Sequence, residues 1–223
     1  MKHSLSLIHL VRQPPAATER PPLLVLLHGY GSNEHDLFGL VPYLDQRFFV
    51  VSVRAPYTIM PGGYGWFELN FAPNELRFNP LQAETSRQQL IQFIDEAIHA
   101  YETDAARTFL LGFSQGATMA ASVALTQPTL VAGAALLSGW VPLELLSNVA
   151  DAEQLSSKPF FVSHGTIDPV LPVQLGRDSR DTLTKLSVAL TYREYQMGHE
   201  VILESLQDVT AWLKEQLDQI EDN

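Results

Sequence analysis

Cysteine is absent from this 223-residue chain, which excludes disulfides, a catalytic thiol and thiolate metal sites. Long apolar runs are missing as well. None approaches the ~18 residues of a membrane span, so stable membrane association is not expected. The start, Met1-Lys2-His3 followed by Leu5 to Val11, imitates a signal segment, but its apolar stretch is short, interrupted by Ser6 and His9 and ended by Arg12. Alternation makes residues 4–11 an edge strand instead, and a cytoplasmic location is the default expectation. Cationic side chains are scarce, 14 Lys and Arg against 25 Asp and Glu, for a formal charge of −11. Nucleic acids and anionic membrane surfaces are polyanions that such a chain repels, so neither is expected as a partner. Internal repeats and low-complexity tracts are not visible. The length suits one well-buried core and is short for two, so residues 1–223 are read as a single domain.

What the chain does contain is an alternation of apolar runs with helical patterns, which argues for an α/β fold with a mostly parallel central sheet and helices on both faces. The strand candidates are 4–11, 23–28, 48–54, 107–112, 132–138, 159–164 and 188–195. A helix from Leu81 to about Tyr101 places Leu90, Ile94, Ala97, Ile98 and Tyr101 on one face. Asn79 serves as its N-cap and Pro80 as its first residue. The last helix carries the stripe Ile202, Leu206, Val209, Leu213 and Leu217, and residues 219–223 are expected to fray. Pro42 should split or kink the helical pattern from Glu34 to Leu44.

One pentapeptide stands out, Gly112-Phe113-Ser114-Gln115-Gly116. A G-x-S-x-G string arises by chance in roughly one chain of this size in fifteen, so its context has to carry the weight. It follows the strand-like run Thr108 to Leu111 and opens a stretch of small residues, Ala117 to Ser122, that reads as a tightly packed helix. A serine on such a strand-to-helix turn is pushed out of the sheet with its hydroxyl exposed. This is the nucleophile elbow of an α/β-hydrolase, and it points to a serine hydrolase.

A serine hydroxyl needs a base to take its proton, and the base needs an orienting carboxylate. In this fold the chain order is Ser, then Asp or Glu, then His. Of seven histidines, only His164 and His199 follow Ser114. His164 ends an apolar strand and runs into Gly165-Thr166-Ile167-Asp168. With Asp168 as the acid, the base has to be His199, in a loop between a β-rich run and the last helix. The other acids, Glu144, Asp151, Glu153, Asp178, Asp181 and Glu194, fall in polar linkers or helical segments. His164 reads as structural, and His3, His9, His35 and His99 as residues without chemical duty. The catalytic candidates are therefore Ser114, Asp168 and His199.

Acyl transfer also needs donors for the developing oxyanion. The backbone N–H of Gln115, next to the nucleophile, is one candidate. The second is the N–H of Tyr30, in the loop His28-Gly29-Tyr30-Gly31-Ser32 that follows an early strand. The segment 56–80 has no convincing period and reads as a long, aromatic-rich loop. Trp66, Leu69 and Phe71 are its candidates for an acyl-binding wall, against the plainer reading of a loop that covers a core edge. No metal or organic cofactor is required.

Five segments, His28-Gly29-Tyr30-Gly31, Trp66-Phe67-Glu68, Gly112-Phe113-Ser114-Gln115-Gly116, His164-Gly165-Thr166-Ile167-Asp168 and Gly198-His199, appear in order. Together they resemble the small carboxylesterase/phospholipase family that includes acyl-protein thioesterases and bacterial esterases. The resemblance spans about residues 20 to 215. It implies a minimal α/β-hydrolase without a large lid domain, acting on a carboxylic ester or thioester, and homodimerisation is a family-based expectation. It also implies the same triad and the same two oxyanion donors. Two departures stand out. Tyr30 replaces an aliphatic residue, so that its ring narrows the acyl pocket, and Glu68 replaces an aspartate. A preference for long acyl chains or palmitoylated proteins is therefore not carried over. Two rival readings remain: an amidase or peptidase on the same triad, and a catalytically silent scaffold used for binding.

Overall fold

The computed structural model describes residues 5–16, 18–72, 75–142, 146 and 148–221, without the side chains of residues 70–77. Its core is a seven-stranded sheet of β1 (His9–Arg12), β2 (Pro22–Leu27), β3 (Phe49–Val53), β8 (Asp104–Phe113), β9 (Gly133–Leu137), β10 (Pro159–Gly165) and β11 (Ala189–Tyr195). The spatial order is β1-β3-β2-β8-β9-β10-β11, and only β1 runs antiparallel to its neighbour. The edge strand expected over 4–11 is thus confined to His9–Arg12, with residues 1–4 outside the described part of the chain.

The continuous apolar runs of the central strands follow from burial on both faces. In β2, Leu23, Val25 and Leu27 face one hydrophobic cluster while Leu24 and Leu26 face the other, the two-residue period of a strand. Helices α1 (Pro80–Ala100) and α2 (Gln115–Thr126) cover the first face. On α1, Asn79 accepts a hydrogen bond from the Gln82 N–H at 3.2 Å, and Pro80 opens the helix, as expected of an N-cap followed by proline. Helix α5 (Leu203–Glu221) covers the other face with Leu206, Val209, Trp212, Leu213 and Leu217. Short α3 (Ala152–Leu155) and longer α4 (Val173–Lys185) complete the crossovers around β10.

Three segments differ from their sequence reading. The helical pattern from Glu34 to Leu44 folds as a short 3₁₀ helix, Leu37–Tyr43, with Pro42 inside it. Proline supplies no N–H, so an α-helix has no bond to continue there. Residues 56–80 are not an irregular loop but two hairpins: β4 (Tyr57–Met60) with β5 (Gly63–Gly65), and β6 (Leu69–Ala72) with β7 (Glu75–Phe78). Pro61-Gly62 makes the first turn, Gly62 at φ 76°, the residue order that turns with a left-handed second position favour. Strands of three or four residues are too short to show a period. At the other end, α5 continues to Glu221, into the segment expected to fray, where Arg47 and Arg107 bond the Glu221 carboxylate at 2.8 and 2.9 Å. Among the described residues no helix is long and apolar enough to cross a membrane.

Helix α5 begins just beyond His199, so its seating on the sheet fixes where that histidine sits. Leu213 is 1% exposed at the centre of this contact. Leu213→Ala should lower the unfolding free energy by about 2–5 kcal/mol, measured by urea titration; an unchanged midpoint would show that α5 does not anchor this face.

Candidate active site

The turn from β8 into α2 is built around missing side chains. A Cβ at Gly112 would lie 2.3 Å from the carbonyl oxygen of Gly116, and one at Gly116 only 2.0 Å from that of Leu27. Glycine at both positions lets α2 approach the β2 and β8 backbones this closely. The small side chains of Ala117, Ala120, Ala121 and Ala124, all buried, continue that close packing. Ser114 is left at φ 54°, ψ −118°, a backbone state that costs about 1–3 kcal/mol for a non-glycine residue. Its N–H donates to the carbonyl of Leu137 at 2.8 Å, which ties the turn to β9.

Two other loops reach the Ser114 hydroxyl. After β10, Asp168 turns back so that its Oδ1 accepts the N–H groups of Val170 and Leu171 at 2.8 and 2.9 Å. Its Oδ2 lies 2.7 Å from His199 Nδ1, and His199 Nε2 lies 2.9 Å from Ser114 Oγ. An ionised carboxylate only accepts. Nδ1 therefore carries the imidazole proton, and Nε2 is free to accept the serine hydroxyl proton. The acid and base loops are themselves tied together: Thr166 N–H donates to Tyr195 O at 2.8 Å and Ile167 N–H to Met197 O at 3.3 Å. The Phe113 ring packs on the His199 ring, centroids 4.9 Å apart.

His164 is fully buried, and its Nε2 donates to the carbonyl of Leu171 at 2.8 Å. It holds the loop that bonds Asp168 and does not reach the serine. Glu144 lies outside the described residues. Glu194 is paired with Arg177 through two bonds of 2.8 Å, which hold its carboxyl well down, at about 2. It therefore belongs to a surface pair and not to the serine.

A cleft of about 140 Å³ opens beside the hydroxyl, lined by Tyr30, Leu69, Ser114, Gln115, Trp140, Val170, Leu171 and His199. Gln115 opens α2, so its N–H belongs to the first helical turn, where such groups have no intrahelical acceptor and the helix dipole favours negative charge. Tyr30 lies in a loop held from two sides. Gly31 N–H donates to Tyr64 O at 2.8 Å and Tyr64 N–H to Ser32 O at 2.7 Å, so strand β5 pairs with the loop. Beneath it, the buried Glu34 takes both Arg54 Nε, at 2.6 Å, and Arg54 Nη2, and the guanidinium lies 4.5 Å over the Tyr64 ring. The Arg54 hydrogen bonds hold the Glu34 carboxyl below its ordinary range.

Of the three side chains expected to wall the acyl site, Leu69 lines the cleft. Trp66 is a correction: it is fully buried, its indole N–H donates to His28 O at 3.0 Å, and its backbone N–H donates to Gln115 Oε1 at 2.7 Å. An indole whose single donor is satisfied inside the core supports the site from below. The Phe71 side chain lies outside the described ones. Sequence reasoning missed Trp140, Val170 and Leu171. Trp140 follows the carboxyl end of β9, a location where ligands of open α/β sheets gather, and that was the available signal.

The imidazole of His28 also went unassigned in the sequence. His28 Nδ1–H donates to Gly29 O at 2.7 Å, while Nε2 accepts the Ala55 N–H at 3.0 Å. Both nitrogens are committed in the neutral form, and burial pushes the ring pKa down.

The profile of the family described as Phospholipase/Carboxylesterase matches residues 12–217. An acyl-protein thioesterase 1 of Neurospora crassa is 29% identical over 235 residues, covering 96% of each chain. Among solved structures, a carboxylesterase of Bacillus cereus superposes with a TM-score of 0.83 at 25% identity, over 96% of both chains. Esterase PE8 gives a TM-score of 0.80 at 30% identity, over 95% of this chain and 98% of the other.

The neutral His28 makes a pH prediction. A histidine whose folded pKa is depressed binds its proton more readily in the unfolded chain. Its contribution to stability is therefore complete above about 6.5 and is lost as pH falls from there toward the folded value, at no more than about 1.4 kcal/mol per pH unit. His28→Gln keeps an acceptor for Ala55 but does not titrate, so its unfolding free energy should vary less steeply with pH below 6.5 than the wild type's. Equal slopes in the two proteins would contradict the assignment.

Proposed function

Because the chain belongs to the phospholipase/carboxylesterase family, we propose that it hydrolyses carboxylic esters or thioesters through an acyl-enzyme on Ser114, with His199 as base and Asp168 as its orienting acid. The observation that carries this reading is the unbroken pair of hydrogen bonds from Asp168 Oδ2 through the imidazole to Ser114 Oγ.

The steps follow from that geometry. Ser114 Oγ attacks the substrate carbonyl carbon as its proton passes to His199 Nε2. The carbonyl π pair moves to oxygen, and the backbone N–H groups of Tyr30 and Gln115 receive the oxyanion. The imidazolium formed is steadied by the Asp168 carboxylate, which stays ionised. Collapse of the tetrahedral intermediate breaks the bond to the leaving oxygen or sulfur, and His199 returns its proton to that atom. Water then enters, gives its proton to His199, attacks the acyl carbon, and releases the acid from a regenerated serine. Each of Asp168's accepted bonds has a part: the Val170 and Leu171 N–H groups hold one oxygen while the other meets the imidazole.

A thioester departs more readily than an oxygen ester, but both use the same attack and the same oxyanion, so one site serves both. Amides have poorer leaving groups, and no contact of His199 singles them out. The reading stays with esters and thioesters.

Ser114→Ala should leave a folded protein whose kcat for an activated ester falls by about 10⁶, and Asp168→Asn by about 10⁴. The wild type should take up a fluorophosphonate on Ser114 and the alanine variant should not. Near-normal turnover by folded Ser114→Ala would dispose of the mechanism.

A further inference from the structure

The cleft of about 140 Å³ beside Ser114 is not the only cavity at this end of the sheet. A larger one, about 580 Å³, is lined by Thr58, Ile59, Glu68, Phe78 and Asn79 together with Tyr30 and Leu69. Among the described residues, Tyr30 and Leu69 are the two that line both cavities. They stand between the space next to the nucleophile and the roomier groove.

The Tyr30 ring has room beside β5 because of an omission there. A Cβ on Gly65 would lie 3.0 Å from Tyr30 Cδ2 and 3.0 Å from Ile59 Cγ1. The ring edge borders the space that a side chain at residue 65 would fill. That strand is in turn bonded to the loop carrying Tyr30, through Gly31 and Ser32. The loop that carries the ring is therefore anchored on the same hairpin that the ring packs against.

We propose that Tyr30 and Leu69 form a fixed partition that limits the acyl subsite to short chains of about four to six carbons; the inference rests on the hydrolase reading above. A cavity of about 150 Å³ holds one benzene molecule, so the inner cleft accepts about six carbon atoms. A longer acyl chain meets the partition. Beyond it, the groove offers the exposed carboxylate of Glu68 and the amide of Asn79 beside its apolar residues, groups that lose hydration when an alkyl chain covers them. Selectivity thus comes from the two side chains between the cavities and not from affinity for any one chain.

The test is kcat/KM for p-nitrophenyl acetate, butyrate, hexanoate, octanoate and dodecanoate, all kept below micelle formation. For the wild type the value should peak at butyrate or hexanoate and fall about tenfold or more by octanoate, the scale on which a hydrophobic pocket rejects an added methylene. Tyr30→Ala and Leu69→Ala should each raise the dodecanoate-to-butyrate ratio about tenfold or more on that same scale. Tyr30→Phe, which keeps the ring, should hold the wild-type ratio. The N–H of residue 30 is present in every variant, so the oxyanion donor is not what changes. If Tyr30→Ala fails to fold, Leu69→Ala opens the same wall from the other side and decides the question alone. A wild-type profile flat to dodecanoate, or ratios unmoved in both alanine variants, overturns the partition while Ser114-dependent turnover leaves the hydrolase reading standing. Absence of turnover on every ester overturns that reading, and the partition with it.

Discussion

At Gly116 the first turn of α2 runs so close to β2 that a single methyl group would meet the Leu27 carbonyl at 2.0 Å. The rest of the site depends on that approach. It forces the chain leaving β8 to reverse within a few residues, which is why Ser114 takes a left-handed backbone. The reversal lifts the serine side chain out of the sheet and sets Gln115, the first residue of α2, beside the same cleft. A strained residue persists only where its surroundings over-determine it. Here the surroundings are the Leu137 carbonyl on the Ser114 N–H, the buried alanines of α2, and the Gln115 side chain bonded to the backbones of Trp66 and Phe67 at 2.7 Å each.

Around that turn, rigidity comes from neighbouring loops bonded to one another. Asp168 is oriented by two backbone N–H groups, the segment after it is held by His164, and the loop of His199 is tied to the end of β10. On the other side, the loop of Tyr30 is paired with β5 and underlain by the Glu34–Arg54 pair and the neutral His28. Buried charge and buried imidazole are costly unless their polar atoms are matched; Glu34 and Arg54 match each other, and the backbone matches both nitrogens of His28. The consequence is a site whose loops are held before substrate arrives, the condition under which electrostatic stabilisation of developing charge is most effective.

Much of this was legible in the residue order because the informative signals are local. Gly112-x-Ser114-x-Gly116 lies between a strand and a helix, so the turn could be read without tertiary knowledge. Ser114, Asp168 and His199 follow the chain order of the fold, and the sheet brings them within hydrogen-bonding distance although 85 positions separate serine from histidine. The hairpins of residues 57–78 escaped notice because their short strands carry no countable period. Trp66 was misplaced because an aromatic-rich segment does not reveal which way each ring faces; its indole satisfies a carbonyl in the core. The Glu34–Arg54 pair joins two elements 20 positions apart, and nothing in either segment alone marks the partner. Trp140 sits after a strand end that the pattern did identify, but without a motif of its own.

The account stands or falls on whether an acyl group passes through the side chain of Ser114. Rapid acid quenching during the first turnover of a butyryl ester, followed by proteolysis and mass spectrometry, examines that step directly. The account predicts a transient butyryl mass on the peptide that contains Ser114, decaying as acid is released. An acyl mass on a different residue, or turnover with no acylated peptide at any time in the burst, would contradict it.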